Sequence, residues 1–154
     1  MPALTASTII GNSFKSMYDL LTNVTNGLTD PKNRGLARTK WIFPEFPDEY
    51  GSDFPGYPIV TIKVESSGKT SILGRQGRDF EINFMITVFA DRNSDVDALS
   101  DEILDEINLR QSTLENYNLY TPELLSTSSG TEFRDPKKKV HIKSLFVRYM
   151  ARSI

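Results

Sequence analysis

Residues Asp79 to Phe89 alternate without interruption. Phe80, Ile82, Phe84, Ile86 and Val88 fall on one side, and Glu81, Asn83, Met85, Thr87 and Phe89 on the other. A period of two held over this length places the apolar set on one face only if the backbone is extended, so the segment predicts a long strand and excludes a helix. Such a strand needs partners of comparable length and a layer to cover its apolar face. Partners are present. Ile59 to Glu65 alternates with Val60, Ile62 and Val64 on one face and Thr61 and Lys63 on the other, and Val140 to Arg152 reads as a closing strand. Shorter strands are predicted within Arg38 to Phe43 and Asn116 to Leu125. Ser66 to Gly77, with Gly68, Gly74 and Gly77, reads as a long hairpin connection, with room for a short strand at Thr70 to Leu73. Ser126 to Lys139 reads as a polar loop.

The cover comes from two helices. Ile10, Phe14, Met17, Leu21 and Val24 recur at spacings of four and three, which predicts a helix from Thr5 to Asn26 ending at Asn26-Gly27. Asn93-Ser94 caps a second helix whose core stripe is Val96, Leu99, Ile103 and Ile107. That helix carries Asp95, Asp97, Asp101, Glu102, Asp105 and Glu106 before its first base, Arg110, which predicts an anionic exposed face. Between Pro44 and Pro58, four prolines and two glycines forbid regular structure in a segment rich in aromatics. With 154 residues in all, the expectation is one α+β domain over 1–154: a mixed or antiparallel sheet of four to five strands, an N-terminal helix, an acidic helix and a long hairpin.

Composition narrows the chemistry. Lys and Arg total 18 against 20 Asp and Glu, a net charge of −2, which argues against a strongly basic nucleic-acid binder or a polybasic membrane protein. There is no Cys and one His, His141, so disulfides, thiolate zinc sites, Cys nucleophiles and every site needing two imidazoles are excluded. The first residues show no signal-peptide pattern and no apolar run reaches membrane-spanning length. The expectation is folding in a cytoplasm-like compartment, away from membranes, where the sequon Asn23-Val24-Thr25 has no consequence.

Each catalytic candidate lacks a required part. Ser67-Gly68-Lys69-Thr70 resembles the end of a phosphate-binding loop, but Lys63 occupies the position of the first glycine, and a hairpin follows instead of a helix. His141 stands on the same strand face as Lys143, with positive neighbours that oppose cation binding. Pro47-Asp48 could open a nuclease motif, yet the strand beyond it reads Thr61-Ile62-Lys63 and lacks the second acid. The Asp95 to Glu106 cluster has no loop geometry for calcium and reads first as a solvated face. Repeated around a ring, the same face would let DNA pass without sticking. Bases cluster on loops, among them Arg34, Arg38, Lys40, Arg75, Arg78 and Lys137 to Lys139. Arg75 and Arg78 with Trp41, Phe43, Phe46, Phe54 and Tyr57 are the candidates for a protein contact, since Arg and aromatics anchor interfaces. The aromatics serve equally well as cover for a sheet edge.

The whole pattern resembles the tail terminator, or tail-completion, proteins of long-tailed bacteriophages. The resemblance runs from the N-terminal helix through Tyr57-Pro58-Ile59-Val60, Arg78-Asp79-Phe80 and Phe84-Met85-Ile86-Thr87-Val88-Phe89-Ala90 to the acidic helix and the closing strand. It implies a non-enzymatic structural protein of the virion neck, assembled in the host cytoplasm. Such a subunit forms a ring, usually a hexamer, on the last ring of the tail tube, stops its polymerisation and faces the head connector. Its partners would be itself, the tube protein and a head-completion protein, with DNA only in transit, no membrane and no cofactor. On this reading Trp41, Phe43, Phe46, Arg75 and Arg78 are candidate subunit or tube contacts, and Asp97, Asp101 and Asp105 candidate channel-facing acids. Two alternatives stand beside it: another neck protein, such as a head-tail connector or tube protein, and a small metal-dependent hydrolase or nuclease using Asp101 and Asp105.

Overall fold

The computed structural model describes residues 9–70, 78–115, 119–135 and 138–153. The chain runs α1 (Ile9–Thr22), a 3-10 turn (Arg38–Lys40), β1 (Ile42–Phe43), β2 (Ile59–Thr70), β3 (Arg78–Ala90), α2 (Asn93–Leu109), α3 (Gln111–Glu115), β4 (Leu119–Asp135) and β5 (Lys138–Ser153). The five strands form one sheet in the order β1-β2-β3-β5-β4. The four long strands pair antiparallel, and the two-residue β1 joins β2 parallel, so the sheet is mixed and the fold is α+β.

The strand patterns explain the layers. Ile82, Phe84, Ile86 and Val88 of β3 stand beside Tyr149, Val147, Leu145 and Lys143 of β5 in register. Directly opposed residues point to the same side of a sheet. The apolar members of this face join Val60 and Ile62 of β2 under Met17, Leu20 and Leu21 of α1 and Val96, Leu99, Ile103 and Ile107 of α2. Both helices therefore cover one face. Tyr149 lies at the centre of this core with its hydroxyl unpartnered among the described residues, and burial pushes that hydroxyl's pKa up. Such an orphan costs stability that the surrounding apolar burial must exceed.

Several expectations are corrected. Val24 lies past the end of α1 and is 91% exposed, and Ile10 is 51% exposed, because the helix buries Ser13 and Ser16 alongside Met17, Leu20 and Leu21. The predicted start at Thr5 lies outside the described residues. Arg38 to Lys40 form a 3-10 turn, leaving only Ile42 and Phe43 as strand, and α2 begins at Asn93 with Arg92 at its N-cap, whose side chain makes no capping hydrogen bond. The Ser126 to Lys139 segment is not a loop. β4 continues through it to Asp135 because β5 supplies a ladder partner, unbroken from Ser126 to Phe133, and a strand solvated on both faces has no apolar alternation to betray it. The hairpin of β2 and β3 is longer than expected, with β2 reaching Thr70. The rest of the possible Thr70 to Leu73 strand lies outside the described residues.

Gly27 closes the turn after α1 under close constraint. A Cβ there would stand 2.6 Å from the carbonyl oxygens of Leu21 and Asn23 and from Arg38 Cδ, so only glycine fits without movement.

Candidate functional site

Among the described residues, the face away from the helices is covered at one end. There the Pro-rich loop brings Tyr57 against Ile59, Phe89 and Val140, with Phe43, Phe46, Phe54 and Ile142 packed around them. Phe46 meets Phe89 edge-on at a centroid distance of 4.7 Å, and Lys138 Nζ lies 5.3 Å from the centre of the Tyr57 ring. Arg34 holds the loop down. Its guanidinium donates to Asp30 at 2.7 Å and to the carbonyl oxygens of Pro55, Gly56 and Pro58 at 3.3, 3.0 and 2.8 Å, and lies 5.9 Å from the Trp41 ring centre. Away from the loop this face is mixed: Thr87 and Ser144 share a hydrogen bond of 3.1 Å, Met85 stands opposite Phe146, and Arg148 pairs with both Glu81 and Glu123.

The sheet's two edges differ. β1 occupies the β2 edge only opposite Val60 and Thr61, and beyond it that edge carries the exposed charges Lys63 and Glu65 and a register shift between Val64 and Ser66. β4 carries no such protection along its middle. Every residue from Glu123 to Phe133 is exposed, and from Leu124 to Thr131 there is no charge and no proline. Its register shifts lie toward its ends, and from Ser126 to Phe133 the ladder is continuous. Charges, prolines and bulges are the usual devices that stop edge strands from pairing with other chains. The six residues from Ser126 to Thr131, free of all three, are an available pairing surface.

The structure separates the residues nominated from sequence. Trp41 is 1% exposed in the main core, while Phe43 and Phe46 are half-buried under the Pro-rich loop. Arg75 lies outside the described residues. Arg78 opens β3 opposite Ser153, whereas Phe89, beside the aromatics, is eleven residues further along the strand, roughly 36 Å away. Arg78 and the aromatics therefore occupy opposite ends of the sheet. Asp97, Asp101 and Asp105 do share one stripe of α2, but tertiary pairing reduces the helix's uncompensated charge. Lys143 pairs with Asp97 at 3.3 Å, Arg92 with Asp95 at 3.0 Å and Arg110 with Glu106 at 3.5 Å, and Glu102 accepts the Thr29 N–H. The expected run of acids without a base thus holds only for the local sequence. Asp101 and Asp105 stay exposed, without an ion-pair partner among the described residues.

No group of three or more metal-ligating residues is assembled among the described residues. His141 and Lys143 line an open cleft of about 250 Å³ with Asp97 and Thr131, at the start of α2. None of the described helices is long and apolar enough to cross a membrane. The β4 edge escaped the sequence reading because a Ser/Thr-rich segment looks the same in a loop and in a solvated edge strand.

Comparisons with known proteins bear on the fold. No family model matches the chain, and no curated protein matches it. Among solved structures, a chain described as "Virion of native gene transfer agent (GTA) particle" aligns over 93% of this chain and 96% of its own length, with a TM-score of 0.61 at 16% identity. The two chains share a fold.

Two carboxylates tie loops to the sheet and set an acid sensitivity. Burial alone would raise the pKa of Asp30 and of Asp91. Arg34 at Asp30 and Lys32 at Asp91 outweigh burial and hold both below the ordinary 3.8. A depressed carboxylate contributes stability that is complete above its unfolded value and is lost as pH falls through its folded value. The urea midpoint is therefore expected to fall as the pH is lowered from 5 through 3.8 and below, and Asp91→Asn should show a shallower fall. An identical pH slope in wild type and variant would contradict this assignment.

Proposed function

We propose that this chain is a structural virion protein that assembles into a ring, a hexamer by the resemblance, capping a phage-type tail tube at the neck. The ring stops tube polymerisation and presents the surface that joins tail to head. The protein works by self-association and docking, without catalysis. The observation that carries this reading is the unprotected β4 edge, a surface suited to adding a strand from a neighbouring chain. The fold shared with a chain from a gene transfer agent virion supports it, as does the whole-chain resemblance to tail terminators. Its partners would be further copies of itself, the tube protein and a head-completion protein, with the genome in transit.

Mass measurement of the purified protein, combined with electron microscopy of tail tubes incubated with it, tests the reading. The expected result is a closed ring and density at one end of each tube. A strict monomer that binds no tube would overturn it, and decoration along the tube's length would reassign the protein as a tube component.

A further inference from the structure

We infer that one copy of this chain grips the next by seating Phe133 in the cleft between α2 and the start of β4. The inference rests on the self-association part of the proposed function and adds the contact that would drive it.

Phe133 is 73% exposed at the end of β4, opposite Lys139 in register. β3 ends at Ala90 opposite His141, so Phe133 and Lys139 sit on a two-stranded extension of the sheet. Lys139 is exposed and, directly opposite Phe133, shares its side of the ladder, which makes the projection an aromatic knob beside a cation.

The matching hole lies toward the other end of the same strand. Leu104 and Ile107 of α2, Pro122 and Leu124 of β4, and Val147 of β5 line a cleft of about 160 Å³. A cavity of about 150 Å³ accommodates a benzene-sized ring. The rim carries the opposite charge to the knob. Asp101 and Asp105 are one helical turn from Leu104 and Asn108, which line the cleft, and both acids are exposed. Leu109, 73% exposed, extends the apolar rim one turn beyond Asp105.

The knob cannot enter its own hole. Leu124 and Phe133 are nine residues apart on one strand, roughly 30 Å. An apolar anchor with a cation beside it and an apolar cleft with acids at its rim, carried by one chain, fit a second copy of that chain. Because the two patches differ, the contact is head-to-tail, the kind that closes into a ring when the rotation per subunit permits.

Sedimentation of the full chain over a range of concentrations tests this with four variants: Phe133→Ser, Lys139→Glu, Asp105→Lys and the double Lys139→Glu/Asp105→Lys. All of these positions are exposed, so thermal midpoints should stay near that of the wild type. Each single variant is expected to raise the concentration for half-association at least about tenfold, with the double charge swap restored toward wild type. Wild-type association that none of the variants weakens would overturn the inference and leave the ring reading standing. A wild type that stays monomeric at every concentration would overturn both.

Discussion

Arg34→Ala is expected to lower the free energy of unfolding by about 2–4 kcal/mol, the cost of deleting one partner from a mostly buried ion pair whose guanidinium makes four hydrogen bonds. The Arg34 side chain is 15% exposed, and its donors serve Asp30 and three loop carbonyls. Removing it leaves the Asp30 carboxylate without its cation and the Pro55, Gly56 and Pro58 oxygens without that donor. The aromatic cover of Ile59 and Phe89 depends on the same loop, so apolar burial should weaken along with the hydrogen bonds. Trp41 is the single tryptophan and lies beside Arg34, so urea unfolding followed by its fluorescence reports the change directly. Arg34→Lys keeps the charge but loses the planar fork that reaches several carbonyls at once, and should recover less than half of the loss. A cost below about 1 kcal/mol for Arg34→Ala would show that the loop is held by its aromatics instead.

Phe84→Ala should destabilise the sheet by a similar amount, about 3–5 kcal/mol, through a cavity instead of a lost charge. Phe84 is 0% exposed at the middle of β3, between Val64 of β2 and Val147 of β5, with the Tyr149 ring edge-on at 5.8 Å. Its neighbours belong to three elements fixed by long ladders, so the site has little freedom to collapse. For a chain of this size the loss corresponds to a fall in thermal midpoint of roughly ten degrees. Phe84→Leu retains most of the volume and should recover much of it, whereas a midpoint unchanged in Phe84→Ala would contradict the central packing described above.

The contrast between these two residues marks what was legible in the chain. Phe84 could be placed from its neighbours alone, because a strand's faces follow from alternation, and Val60, Ile62, Ile82, Ile86, Val96, Leu99, Ile103 and Ile107 were placed in the core by the same logic. Arg34 could not. Its partners are up to 24 positions away across a segment with no periodicity, and nothing in Pro55, Gly56 or Pro58 names the cation that bonds their carbonyls. The acidic helix misled in the same way, since the local run of acids is real while its compensating Lys143 comes from another strand. β4 was the largest miss: Ser126 to Thr131 has no pattern, and only pairing with β5 makes it a strand.

The sequence by itself determined the α+β class, the long central strand, two covering helices with the buried face of the second, and the absence of cysteine chemistry. These follow from period and composition, which are properties of neighbouring residues. Only the tertiary structure decided that β1 joins in parallel, that Trp41 is core while Phe133 stands exposed, that Arg78 and the aromatic loop lie at opposite ends of the sheet, and that β4 is an open edge. Each of those depends on which distant segments meet, and backbone hydrogen bonds between strands carry no side-chain label from which the meeting could be read.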